Sequence, residues 1–276
     1  MKRIVTVQDI SAVGKCSLTV ALPIISACGV ECAVLPTALL STHTQFSEFT
    51  FHDLTDEMEP IYSHWQREGM SFDAVYTGYL GSFRQIELVE DLFSRFAGEN
   101  TLRVVDPAMA DNGVLYHGFT KEFALRMGSL CGKADLILPN LTEAVFMLGE
   151  EYPENYDRLY VETLLKKLCA LGAKKAALTG VSFEKGKIGA MLYDSETDKF
   201  FEYYNEHLPV SFHGTGDIFA SAVVGAVASG KTVEEALTVA VDYTLECSRL
   251  TLADPNHNTY GVNFEEATGF LVEKLK

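Results

Sequence analysis

Strand-like and helix-like patterns alternate along nearly the whole chain, and this alternation limits the fold more than any other feature. Short apolar, β-branched runs at 3–7, 31–35, 73–77, 102–105, 135–138 and 174–179 read as strands. Between them, 17–28, 53–68, 83–96, 120–131 and 155–171 carry the three-to-four-residue apolar spacing of amphipathic helices. Parallel strands cannot be joined by a tight turn, so a helix between successive strands is what a parallel sheet needs. The pattern predicts an α/β fold with a central, mostly parallel sheet and helices on both faces. Residues 187–193 and 199–204 read as a hairpin or edge strands, and 217–229, 233–250 and 264–275 as helices. With no internal repeat, low-complexity run or long linker, the 276 residues predict a single domain, 1–276. Only 36–52, where polar and aromatic residues crowd a non-periodic segment, predicts a small flap.

Composition removes several functions. A formal net charge of −16 argues against a nucleic-acid or anionic-membrane partner, which would call for a basic face. No stretch is long and apolar enough to span a bilayer, and the short strand in Met1–Asp9 turns polar too early for a signal peptide, so a cytoplasmic address is expected. The cysteines at 16, 28, 32, 131, 169 and 247 form neither a C-x-x-C pair nor a zinc-type spacing and read as small buried hydrophobes.

The polar residues fall in a telling place. Asp9, Asp106, Asn140, Glu143, Thr179 and Asp217 lie at or just past predicted strand ends, where the ligand cleft of an open parallel sheet forms. Carboxylates gathered there are costly unless a cation or a proton-transfer task accounts for them. Near the C-terminus, Gly214-Thr215-Gly216-Asp217 precedes a helix of small residues. Its glycines can aim backbone N–H groups at one point, the helix adds its positive end, and Asp217 stands beside this anion hole as a candidate proton acceptor. Taken alone, the same residues also read as a plain strand-to-helix turn. A Walker A loop is missing, since Val13-Gly14-Lys15-Cys16-Ser17 lacks the upstream glycine and the Ser/Thr after lysine. So are the dinucleotide fingerprint and the G-x-S-x-G elbow.

Asp106-Pro107-x-Met109-x-Asp111-Asn112-Gly113, Asn140-x-x-Glu143 and Gly214-Thr215-Gly216-Asp217 occur in an order and spacing that resembles the ribokinase superfamily. Within it, His43-Thr44-Gln45-Phe46 and Gly78-Tyr79-Leu80-Gly81-Ser82 look like the pyridoxal kinase branch. The resemblance implies a ribokinase-like fold and transfer of the ATP γ-phosphoryl group to the hydroxymethyl of a vitamin B6 ring. It implies Asp217 as general base and Gly214, Thr215 and Gly216 as anion hole. Glu143 and Asp106 would lie at Mg²⁺, and Asp106, Asn140, Thr179 and Gly180, with both glycines, at the nucleotide. Asp9, Ser11, His43, Thr44 and Tyr79 would meet the vitamin. ATP and Mg²⁺ are the implied cofactors, with a monovalent cation such as K⁺ as a candidate activator, and a homodimer is the implied assembly.

One departure concerns Asp9, where the branch carries serine against the pyridine nitrogen; a carboxylate there favours a protonated ring. Asp9-x-Ser11 also resembles hydroxymethylpyrimidine kinases, but the glycine-rich run that follows in those enzymes is Ala12-Val13-Gly14-Lys15 here. A sugar kinase of the superfamily and a non-catalytic pocket protein for pyridoxal phosphate or a nucleotide are the remaining alternatives. Taken alone, Asn140 and Glu143 read as a helix N-cap and a first-turn acid.

Overall fold

The computed structural model describes residues 1–276 except Ala97, Glu99, Asn100 and Ser211. Its strands are β1 (Arg3–Val13), β2 (Glu31–Thr42), β3 (Phe51–Asp53), β4 (Ala74–Thr77), β5 (Leu102–Val105), β6 (Ala110–Asp111), β7 (Val114–Leu115), β8 (Leu136–Ile137), β9 (Lys175–Val181), β10 (Lys187–Asp194) and β11 (Lys199–Glu206). Apart from the small β6–β7 pair, they form one nine-stranded sheet in the order β11-β10-β9-β8-β5-β4-β1-β2-β3. The six strands from β9 to β2 are mutually parallel, while β10 and β11 on one edge and β3 on the other run antiparallel.

Helices cover both faces, as the alternation requires. α1 (Leu18–Ala27), α7 (Thr215–Ala228), α8 (Val233–Ala253) and α9 (Thr268–Lys274) pack on one face around Ile24, Tyr76, Val223 and Leu237. α2 (Thr55–Arg67), α3 (Phe83–Phe96), α4 (Lys121–Cys131), α5 (Leu141–Met147) and α6 (Arg158–Ala170) cover the other, around Met58, Leu92, Met127 and Leu165. The two cores share a sheet whose strands alternate between them: Ile4 faces one and Val5 the other. Among the described residues, no helix is long and apolar enough to cross a membrane.

The structure corrects the sequence reading where strands run past their apolar part. Predicted strands 3–7 and 31–35 continue to Val13 and Thr42, so much of the expected 36–52 flap is regular sheet, closed by β3 against Ala38–Leu40. Pro36, the first residue past the predicted strand, stands where β2 is still the edge of the sheet and its missing N–H has no partner to lose. The short β6–β7 pair lies where no element was predicted, α5 was announced only by the cap and first-turn acid at Asn140 and Glu143, and the last helix spans 268–274 in place of 264–275. Such short elements carry too few apolar repeats to register as a pattern. All six cysteines are free thiols, and all but half-buried Cys32 are buried.

Candidate active site

Six parallel strands point their carboxyl ends the same way, and local irregularities there aim the polar side chains. In β1 the register against β2 slips between Gln8 and Ile10. Asp9 sits at this bulge, so it lies within the strand and not beyond it; a bulge re-aims the side chain it carries. Ser11 Oγ donates to the Asp9 carboxylate at 3.0 Å. Burial pushes the Asp9 carboxyl up, opposed by hydrogen bonds from Ser17 and Ser11. In β9 the register against β10 slips opposite Gly180, which adopts φ 70° inside the strand; Thr179 beside it donates its N–H to the Pro139 carbonyl at 2.9 Å.

The Asn140–Glu143 pair is a capping box. Asn140 Oδ1 accepts the Glu143 N–H at 3.0 Å, and Glu143 Oε2 accepts the Asn140 N–H at 2.8 Å. Glu143 Oε1 also accepts the Met109 N–H at 3.1 Å, and Asn140 Nδ2 donates to the Ala110 carbonyl at 2.8 Å. The pair therefore fastens the loop after β5 to the start of α5, which fixes Asp106. Burial pushes Glu143 up to about 7 despite its backbone donors. Asp106 is held well above the usual carboxylate range by burial, then by the Glu143 and Asp217 charges.

The glycine turn is built differently from the sequence reading. α7 begins at Thr215, so Thr215, Gly216 and Asp217 belong to its first turn and their N–H groups are the helix's unpaired donors. Only Gly214, the N-cap, needs a left-handed backbone, at φ 83°. Asp217 keeps some accessible surface, yet protein encloses its carboxyl: burial pushes it up to about 7, against the Ser17 N–H that it accepts, with the Asp9 charge adding to the rise. Ser17 reaches it from a φ of 49°, a conformation that costs energy outside glycine and here directs an N–H into the cleft.

Burial raises Asp106, Glu143 and Asp217, the charges of the last two raise Asp106 further, and among the described residues no lysine or arginine pairs with them. Nor, among the described residues, does any group of three or more His, Cys, Asp or Glu form a ready metal cage. This donor set fits Mg²⁺, which takes one or two carboxylates, keeps several waters and shares the phosphates of its substrate. A helix N-terminus for phosphate, an enclosed carboxylate for a hydroxyl proton, and surplus negative charge for a cation together suit phosphoryl transfer.

The profile of the phosphomethylpyrimidine kinase family matches residues 22–263. The chain belongs to that family. It is similar to the pyridoxine kinase of Bacillus subtilis (strain 168), 32% identical over 180 residues; the match covers 64% of each chain, a little under two thirds of the Bacillus protein's length. Among solved structures it is similar to a candidate phosphomethylpyrimidine kinase from Bacteroides thetaiotaomicron crystallised with pyridoxal, at 38% identity and a TM-score of 0.93 over 98% of this chain and 95% of that one. It is also similar to the pyridoxal kinase of Lactobacillus plantarum, at 30% identity and a TM-score of 0.91 over 99% and 97% of the two chains.

The structure brings Asp9, Ser11, Asp106, Asn140, Glu143, Thr179, Gly180 and Gly214–Asp217 to the carboxyl-end side of the parallel strands. Tyr79 stands beyond β4, half-buried against Phe119 with ring centroids 5.5 Å apart, and burial with the Asp9 charge raises its hydroxyl. Thr44 is exposed in the turn after β2, while His43 beside it is buried. Sequence reasoning missed Ser17, which read as nothing more than a helix start, and it missed the loop between α8 and α9. Tyr260 and Asn263 of that loop reach His43 and Lys15 across more than two hundred residues of sequence, a pairing no local pattern announces.

Glu143 has a structural task whether or not it also serves a cation, and two substitutions separate the two roles. Glu143→Ala strips acceptors from two buried N–H groups and is expected to cost about 2–5 kcal/mol, read as a lower melting temperature. Glu143→Gln keeps one acceptor oxygen and removes the charge; it is expected to melt closer to wild type while needing more Mg²⁺ for half-maximal rate. An unchanged metal titration in Glu143→Gln would remove Glu143 from the cation site.

Proposed function

We propose that this chain is a pyridoxal kinase, which transfers the γ-phosphoryl group of ATP to the 5′-hydroxymethyl of pyridoxal, pyridoxamine or pyridoxine to give the 5′-phosphate and ADP. One arrangement carries the reading: Asp217, its carboxyl pushed up to about 7, in the first turn of α7 beside the left-handed Gly214. A base poised near neutrality suits a substrate alcohol, and the adjoining N–H groups suit the charge that builds on the transferred phosphoryl group. Similarity to a kinase crystallised with pyridoxal supports the ring class.

In this reading Asp217 takes the hydroxymethyl proton as that oxygen bonds to the γ-phosphorus, and the bond to the β,γ-bridging oxygen breaks to release ADP. The N–H groups of Gly214, Thr215 and Gly216 hold the phosphoryl oxygens, while Asn140, Thr179 and Gly180 flank the nucleotide. Asp106 and Glu143 would hold Mg²⁺ largely through its waters, and the ion would neutralise phosphate charge. Asp9, Ser11, Thr44 and Tyr79, with the His43 loop, frame the vitamin. The protein works as a cytoplasmic homodimer in this reading.

The test is ADP release with Mg-ATP across pyridoxal, pyridoxamine, pyridoxine, hydroxymethylpyrimidine and ribose. Turnover confined to the B6 compounds is expected. The family profile makes the pyrimidine alcohol the second reading, and turnover on that compound alone would replace the first.

Asp9 should set ring recognition. Its carboxyl and the ring nitrogen share one proton, whichever of them carries it, so the contact is charge-assisted. Asp9→Asn is expected to raise the KM for each vitamer roughly 10- to 100-fold and leave the KM for ATP unchanged. Equal KM values for the vitamers in the two proteins would exclude this contact.

A further inference from the structure

His43 has no ring nitrogen to spare. The Gln45 N–H donates to Nδ1 at 3.2 Å, which leaves the proton of the neutral ring on Nε2, and Nε2–H donates to the Tyr260 carbonyl at 3.0 Å. The ring lies on His213, centroids 4.4 Å apart, and against Phe46 at 4.9 Å. His213 immediately precedes Gly214, and burial holds its imidazole down at about 4, so that ring is uncharged. From the other side, the Lys15 carbonyl oxygen packs so closely on Gly214 that a Cβ there would overlap it. Lys15 in turn is gripped by the same C-terminal loop: Nζ donates to Asn263 Oδ1 at 3.1 Å and pairs with Glu265 at 2.8 Å, and its stem lies against Gly261. Asn263 is itself anchored, its N–H on Thr251 Oγ1 at 2.8 Å.

One segment thus reaches both flanks of the phosphate turn. We propose that Tyr260–Glu265 is a brace that holds the Gly214 turn in register, acting through His43 on one side and Lys15 on the other, with both side chains positioning residues and not substrate ligands. The brace explains why a buried histidine and a buried lysine stem converge on a turn to which neither contributes a donor. It also gives the vitamin loop a mechanical link to the phosphate turn, because the His43 loop and His213 move as one stack. The inference rests on that turn being the phosphoryl site.

Steady-state kinetics of His43→Phe, His43→Gln, Lys15→Met and the Phe/Met double variant, with melting temperatures, tests it. A displaced turn costs rate more than binding, so His43→Phe and Lys15→Met should each lower kcat about tenfold or more with the KM for the vitamer within about twofold. His43→Gln, which keeps a donor and an acceptor, should recover part of the loss, and the double variant should lose less than the product of the single losses. A raised vitamer KM with kcat preserved in His43→Phe makes His43 a ligand and overturns the brace. So does a lower melting temperature with wild-type kcat in the folded protein, since the contacts would then serve stability alone. Absence of wild-type turnover on every B6 compound is a different failure: it removes the functional reading, and the brace with it.

Discussion

Replacing Asp217 with asparagine is expected to lower kcat roughly 100- to 10 000-fold while ATP binding stays largely intact. The amide keeps the shape of the carboxyl and loses its basicity, so the substrate hydroxyl reaches the γ-phosphorus still carrying its proton. The pH profile should move with it. Only ionised Asp217 accepts a proton, and its carboxyl is pushed up to about 7, so wild-type kcat/KM should climb with pH through about 7 and then level. Asp217→Asn should lose that limb.

The same shift predicts a trade against stability. The folded value lies above the ordinary 3.8, so the neutral carboxyl is the form the fold favours. Its contribution to stability is full below about pH 4 and is lost as pH rises through about 7. Asp217→Asn is uncharged at every pH, and should melt above wild type near pH 8 and close to it near pH 4. Melting curves at the two pH values, read beside ADP release, decide both halves. A variant with normal turnover would take the proton-accepting role away from Asp217.

Gly214→Ala is the second large effect. A methyl group there meets two penalties at once, a φ of 83° that side chains resist and overlap with the Lys15 carbonyl oxygen. The turn must shift, and its N–H groups with it; losing one well-aimed donor costs roughly 100- to 1000-fold in kcat. Gly216→Ala is the built-in contrast. Gly216 is helical, nothing lies within 4 Å of an added Cβ, and alanine favours a helix over glycine, so near-normal kcat and unchanged stability or better are expected. Equal losses in the two variants would mean that the turn's geometry does not depend on Gly214.

That pair shows how far local sequence reaches. Gly-Thr-Gly-Asp marks a turn into a helix, but both glycines look alike until φ separates them. The alternation of strand and helix patterns determined the α/β class, the parallel core of the sheet and its antiparallel β10–β11 edge, because side-chain periodicity is a property of each segment by itself. Asn140 and Glu143 were legible both as a helix N-cap with a first-turn acid and as part of an acidic cleft, and the structure closes them into a capping box while leaving Glu143 beside Asp106 for the second.

Other features needed the assembled chain. The bulge at Asp9 exists only because β1 keeps pairing with β2 beyond its apolar run, and the one at Gly180 only because β10 pairs with β9. The near-neutral carboxyls of Glu143 and Asp217 arise from burial, with the Asp111 charge adding to the first and the Asp9 charge to the second, and burial depends on residues far apart in sequence. Ser17, Tyr260 and Asn263 carry no motif; contact alone gives them a part in the site. Sequence by itself determined the longer elements and the chemical kinds of side chain at their ends. Tertiary structure decided which of those ends meet, because long-range packing sets the dielectric, the register and the distances on which proton transfer and anion binding depend.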